Sequence, residues 1–251
     1  MSGHSKWHTI KNQKAATDAK RGQMFTKLTR EIIVAARNGG SNIESNYSLR
    51  LAVQRAKDGS MPWDNISRAI QKASGGGDGV VMAEMVLEGY GPGGGAILVN
   101  ALSDNRNRTV QAVRNLFSRG GGSLGESGCV AWLFVQRGVM TVKAEDIDKD
   151  ELALKIIDFG ADDVNVEGDY LTVYTMPQKL EEVRTALEKD KIEVESAEVS
   201  MIAKQTIDLD EKQSVQTLKM LENLEELDDV QKVASNVNFS DAVLAAYEKA
   251  Q

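Results

Sequence analysis

Three consecutive glycines, Gly75-Gly76-Gly77, separate two stretches of chain with different hydrophobic periods. Before them, apolar residues recur every three to four positions. Beyond Val80, extended apolar runs alternate with helical ones. A segment patterned for one period does not sit stably in the other, so the change marks a helical unit joined to α/β units. The chain is 251 residues long, enough for two or three domains that each bury a core.

The helical region reads as three helices. Over 15–37, Met24, Phe25, Leu28, Ile32, Ala35 and Ala36 fall within about 120° of arc, a core-facing stripe. Lys20, Lys27, Arg30 and Arg37 fall on an adjacent arc of about 100°, with Val34 among them. Gly39-Gly40 then end the helix. A second helix is expected over 46–57, with Leu49, Ala52, Val53 and Ala56 on one face. A third is expected over 64–72, with Asp64 as its N-cap.

The same region carries most of the positive charge. Residues 1–72 hold 13 Lys or Arg against 5 Asp or Glu, a balance of +8, whereas residues 73–251 hold 17 against 32, a balance of −15. The net charge of −7 conceals this asymmetry. Clustered cations attract phosphates by counterion release, and an acidic remainder repels the same polyanion. The head is therefore expected to meet nucleic acid. Lys6, Trp7, His8, Lys11 and Lys14 add an aromatic among cations ahead of the first helix, and Arg21 adds one more charge. Sequence-specific readout is not expected, because the head shows no helix with a base-reading row of Arg, Asn and Gln.

After the glycines, extended runs at 81–90 and 96–102 flank Gly91-Pro-Gly-Gly-Gly95, a hairpin signature. A helix over 106–119, a glycine-rich loop over 120–128 and a strand over 129–135 follow. Residues 139–203 then read strand, helix, hairpin, helix, strand, the βαββαβ order of a ferredoxin-like unit. Strand, helix, strand and helix close the chain. The first unit lacks a helix and strand that the last segment supplies. The expected domains are therefore a basic helical one (1–77), a middle α/β one (80–136 plus 206–251) and a βαββαβ one (138–204) inserted into it.

Several long motifs, taken in order, resemble the YebC/PmpR family: Gly3-His-Ser-Lys-Trp-His8, Lys14-Ala-Ala-Thr-Asp-Ala-Lys-Arg-Gly22, Phe25-Thr-Lys-Leu-Thr-Arg-Glu31, Gly89-Tyr-Gly-Pro-Gly-Gly94 and Asp104-Asn-Arg-Asn-Arg-Thr109. The resemblance runs from Ser2 to the last helix. It implies an α+β multidomain fold in which a three-helix N-terminal domain and two ferredoxin-like α/β domains, the second inserted in the first, surround a cleft. It also implies gene regulation by binding nucleic acid, either DNA at promoters or ribosomal RNA in translation. Trp63 departs from the polar residue usual after the proline in that family, as an added contact or as packing.

Little in the chain points to catalysis or to a cofactor. The two histidines, His4 and His8, lack the further ligands a metal site needs, and the single cysteine, Cys129, lies far along the chain in an apolar run. No serine or cysteine has a histidine elsewhere in the chain to serve as base. The glycine-rich loop follows a helix and precedes a strand, the reverse of a phosphate loop, so a flexible connection is expected. Glu181-Glu182 and Asp228-Asp229 read as solvated surface. Arg106 and Arg108 open a helix, where they could clamp a phosphate or pair with nearby acids. No run reaches the 18 to 20 apolar residues of a membrane span, and Met1–His8 has no apolar core of a secretory signal, so a cytoplasmic location is expected. The expectation is a non-catalytic, nucleic-acid-binding regulator without metal, cofactor or small-molecule substrate. A protein adaptor is the remaining class, one that would keep its function with the basic head neutralised.

Overall fold

The computed structural model describes residues 18–74, 82–145 and 147–249. Three helices form the head: α1 (Asp18–Gly39), α2 (Tyr47–Asp58) and α3 (Trp63–Ser74). Leu28, Ile32, Ile33 and Ala36 of α1 meet Leu49, Ala52, Val53 and Ala56 of α2 and Ile66 and Ala69 of α3. Val34, which helical periodicity places among the cations, is buried with its neighbours. The reason is that α1 is covered on two sides, by its partner helices and by the α/β body.

Asn46 stitches α1 to α2. Its side-chain oxygen accepts the Leu49 amide at 3.1 Å as an N-cap, and its Nδ2 donates to the carbonyls of Ala35 (2.8 Å) and Gly40 (2.7 Å). Asp64 is not the cap of α3. The helix starts one residue earlier, and the Pro62 carbonyl accepts the Asn65 and Ile66 amides, which leaves Asp64 in the first turn. The ring of Trp63 is half exposed, with the Lys57 ammonium 5.7 Å from its centroid.

The body begins with β1 (Ala83–Tyr90), β2 (Ala96–Ser103), α4 (Arg106–Arg119) and the short β3 (Ser123–Leu124). The chain then builds β4 (Phe134–Lys143), α5 (Lys149–Asp158), β5 (Asp163–Glu167), β6 (Tyr170–Thr175), α6 (Leu180–Lys189) and β7 (Val194–Ala203). It returns through β8 (Ile207–Asp208), α7 (Glu211–Glu225), β9 (Val230–Ser235), β10 (Val237–Asn238) and α8 (Asp241–Lys249). The first sheet is antiparallel in the order β3-β1-β2-β9, and the second is antiparallel in the order β5-β6-β4-β7. The second order is the ferredoxin-like one, with the first and third strands of the unit central. The first sheet shares the layer plan but opens with a hairpin. Its core joins Ile97 and Val99 of the sheet to Val113 and Phe117 of α4, Leu218 and Leu221 of α7 and Tyr247 of α8.

The strand expected over 129–135 begins only at Phe134. Ala131–Leu133 forms a 3-10 turn, and a single ten-residue strand, β4, then runs through Gly138. The sequence presents Gly138 as a break, whereas a Cβ there would lie 2.3 Å from Thr175 Oγ1 and 3.1 Å from Leu180 Cβ. The glycine admits β6 and α6 close against β4. Strands β4 and β7 pair from Phe134↔Ala203 to Val142↔Val194, beyond the reach of β6. The overhanging end, with Phe134, Met201 and Ala203, packs on Ala96, Leu98 and Ala234 of the first sheet. This ribbon joins the two sheets. Among the described residues no helix is long and apolar enough to cross a membrane.

Gly89 marks a tight approach within the first sheet. A Cβ there would lie 2.5 Å from the Ser123 carbonyl oxygen and 2.6 Å from Cε1 of the buried Phe117. Gly89→Ala is expected to cost about 1–3 kcal/mol by overpacking, seen as a lower denaturant midpoint at unchanged slope.

Candidate nucleic-acid interface

The basic helix α1 lies across the end of α7. Lys27 Nζ donates to the Glu225 carbonyl, Gln23 Nε2 to the Glu226 carbonyl at 3.5 Å, and Arg30 to the Asp228 carbonyl. The Glu225 and Glu226 carbonyls close a helix whose dipole presents negative charge, so cations are favoured there, and the Asp228 carbonyl lies in the turn just beyond. Arg30 also pairs with the Asp229 carboxylate at 2.9 Å. Two cations assigned to phosphate from the sequence thus hold the head on the body.

Asp229 is the hub of this contact and, contrary to its reading as solvated surface, is buried. Its second oxygen accepts from Thr109 Oγ1 (2.6 Å), Arg108 (2.9 Å) and Ser103 Oγ (3.1 Å). Burial pushes the Asp229 carboxyl up, but the hydrogen bonds from Thr109, Arg108 and Ser103 outweigh it and hold the group below the usual carboxylate range. Arg108 further bonds Asp104 at 2.7 Å. Of the two outcomes open for Arg106 and Arg108, acid pairing is realised for Arg108. Arg106 is exposed and has no ion-pair partner among the described residues.

A second ionic cluster ties all three parts of the chain together. Arg55 of α2 pairs with Glu31 of α1 at 2.5 Å and with Glu198 of β7 at 3.4 Å. Glu198 also pairs with Lys232 of β9 at 2.9 Å, and Lys232 donates to the Val199 carbonyl. Burial and the neighbouring Arg55 cation pull the Lys232 ammonium below its ordinary range, against Glu198 and Glu31. Nearby, Arg184 of α6 reaches Asp58 at 3.3 Å, and the Tyr47 hydroxyl donates to the Pro177 carbonyl at 3.0 Å.

The glycine-rich loop after α4 has its amides occupied from within. The buried Glu88 of β1 accepts the backbone N–H groups of Gly128 (2.7 Å), Val130 (2.8 Å) and Ala131 (2.7 Å). Donors that could cradle a phosphate are thus held by an internal carboxylate. Burial raises the Cys129 thiol, with Glu88 and Glu126 pushing the same way, so it stays protonated at neutral pH.

The remaining sequence-predicted contacts divide by position. Arg21 is exposed on the first turns of α1, and Arg37 is half-buried near its end. Lys20 lies in α1 as well. Lys6, Trp7, His8, Lys11 and Lys14 lie outside the described residues. Sequence reasoning missed Asp229, Glu88 and the Arg55–Glu198–Lys232 cluster. The available signal was weak in each case, a single charge inside or beside an apolar run.

Together these features define a multidomain α+β protein with a cationic helical head clamped on an anionic body. The chain belongs to the TACO1/YebC family: its N-terminal domain model matches residues 5–76, and the model of its second and third domains matches residues 82–237. A relative from Dehalococcoides mccartyi named "probable transcriptional regulatory protein" is 58% identical over 247 residues, covering 98% of each chain. A relative of the same name from Halothermothrix orenii is 47% identical, covering 97% of this chain and 98% of its own. The crystal structure of a conserved hypothetical protein from Aquifex aeolicus matches with a TM-score of 0.82 at 45% identity, over 89% of this chain and 93% of that one.

Proposed function

We propose that this chain is a non-catalytic, cytoplasmic regulator of gene expression that binds DNA through its basic head. The observation that carries the reading is the charge division, +8 over residues 1–72 against −15 over the rest. The names of the relatives support a role in transcription. Lys6, Lys11, Lys14, Lys20 and Arg21 supply phosphate contacts, Trp7 and His8 supply stacking or phosphate contact, and Arg37 and Arg106 extend the surface. Lys27, Arg30 and Arg108 set the position of the head on the body.

The test is salt-dependent binding of a labelled DNA duplex. The triple variant K11Q/K14Q/K20Q is expected to reduce the slope of log affinity against log salt by roughly 2 to 3, at every sequence tried. Unchanged affinity would overturn the reading.

One feature favours the ribosomal alternative. Arg68 on α3 folds back onto the Asp64 carbonyl (3.0 Å) and Asn65 Oδ1 (2.5 Å) instead of projecting. A head that presents charge without a base-reading row suits ribosomal RNA better than a sequence-specific DNA site. Crosslinking in cells separates the two: reads at promoters support the first, and reads dominated by ribosomal RNA support the second.

A further inference from the structure

The acidic body carries one helix without a single acid. Helix α4 reads Arg-Asn-Arg-Thr-Val-Gln-Ala-Val-Arg-Asn-Leu-Phe-Ser-Arg, with Arg106, Arg108, Arg114 and Arg119 all exposed. They are the only cations of residues 80–136, whereas the whole region beyond residue 72 holds 32 acids to 17 bases. The facing strip of α7 matches it. Lys212, Gln216, Lys219 and Asn223 are exposed and fall within about 60° of arc, while Glu211, Glu222 and Glu225 lie on another side of the helix.

Arg119 of α4 and Gln216, Lys219 and Asn223 of α7 line one groove between the two helices, whereas Arg106 and Arg114 lie on other sides of α4. Leu116, Gly120 and Met220 floor its outer part, and Arg119, Lys219, Gln216 and Asn223 rise from them, enclosing about 410 Å³. Gly120 makes the narrow floor possible, since a Cβ there would lie 2.6 Å from Met220 Sδ. Nearer the head a separate pocket is lined by Ala112, Thr109 and Arg108 of α4 and by Arg30. That end is occupied by acids, with Asp228 on the rim, Asp104 paired with Arg108, and Asp229 paired with both Arg30 and Arg108, so the free cations are those of the outer part. Arg119 and Lys219 have no ion-pair partner among the described residues, although acids outnumber bases in this body.

We infer that the α4–α7 groove is a second nucleic-acid contact, a track for a phosphodiester backbone that leads away from the head. Two cations facing each other across a narrow floor, with amides between them, suit a row of phosphates and carry no base-reading geometry. The run from Gln216 to Asn223 along α7 spans about 10 Å, roughly three nucleotides of one strand. The inference rests on the proposed nucleic-acid function and adds a site outside the head.

The experiment titrates the full-length chain into a labelled 30-nucleotide single strand and a 30-base-pair duplex at several salt concentrations. R119Q/K219Q is expected to lower the salt slope by about 1.4 on the single strand or about 1.8 on the duplex. The control K189Q/K191Q removes the same charge from exposed positions on the inserted unit and is expected to leave the slope unchanged. If the wild-type chain and R119Q/K219Q behave alike while K11Q/K14Q/K20Q loses binding, the groove falls and the proposed function stands. An equal loss in the control reduces the effect to net charge and also overturns the groove. No binding by the wild-type chain overturns both readings.

Discussion

Asp229→Ala is expected to destabilise the chain by about 2–3 kcal/mol, read as a shift in the urea midpoint. The substitution leaves Arg30 and Arg108 close together without the carboxylate that separates them, and it removes an acceptor from Ser103 and Thr109. The cost falls on the buried Ser103 and Thr109 hydroxyls and on the largely covered Arg30, whereas the exposed Arg108 regains water. Asp229→Asn, which keeps an acceptor and loses the charge, is expected to cost less. Its pH profile is the sharper test. The Asp229 carboxyl lies lower in the folded chain than its ordinary value near 4, so its stabilisation is complete above about pH 5 and is lost as pH falls through the folded value. The asparagine variant should therefore lose less stability between about pH 5 and pH 3 than the wild-type chain does. Equal acid limbs in the two would show that Asp229 is not the group that titrates.

The physical reason Asp229 was not legible as a hub lies in what a single chain displays. Asp228-Asp229 follows an amphipathic helix and precedes a strand, where solvated acids are common. Its burial comes from α1 and α4, which lie some 200 and 120 residues away in the sequence. Local patterns fared better. The bounds of α4 and of the β5–β6 hairpin follow directly from periodicity and from the turn at Gly168-Asp169, because short-range signals decide them. Gly138 misled for the opposite reason, since its role is to admit Thr175 and Leu180, and no neighbour in sequence signals that approach. The cations of the head were visible as charge. Which of them face outward was not, because Lys27 and Arg30 differ from Arg21 only in lying opposite the end of α7.

Glu88→Ala is expected to have an effect of similar size on a different part of the body. One carboxylate in β1 accepts three amides across a separation of 40 to 43 residues, and with the Tyr90 hydroxyl on the Cys129 carbonyl it fixes the end of the glycine-rich loop to the sheet. Its removal leaves the donors of Gly128, Val130 and Ala131 without acceptors, at about 1 kcal/mol or more each, for a total near 3 kcal/mol. Glu88→Gln retains one carbonyl oxygen and is expected to lose about half as much. The loss should also be local: those three amides should exchange with solvent much faster in the alanine variant, while the amides of the β4–β7 ribbon keep their protection. Burial raises the Glu88 carboxyl, but the three amides outweigh it and hold the group below its ordinary value. Its share of stability is thus present at neutral pH and disappears in acid, and the glutamine variant should be less sensitive there. Were Glu88→Ala to fall within 0.5 kcal/mol of the wild-type chain with loop exchange unchanged, the amides would be satisfied from elsewhere.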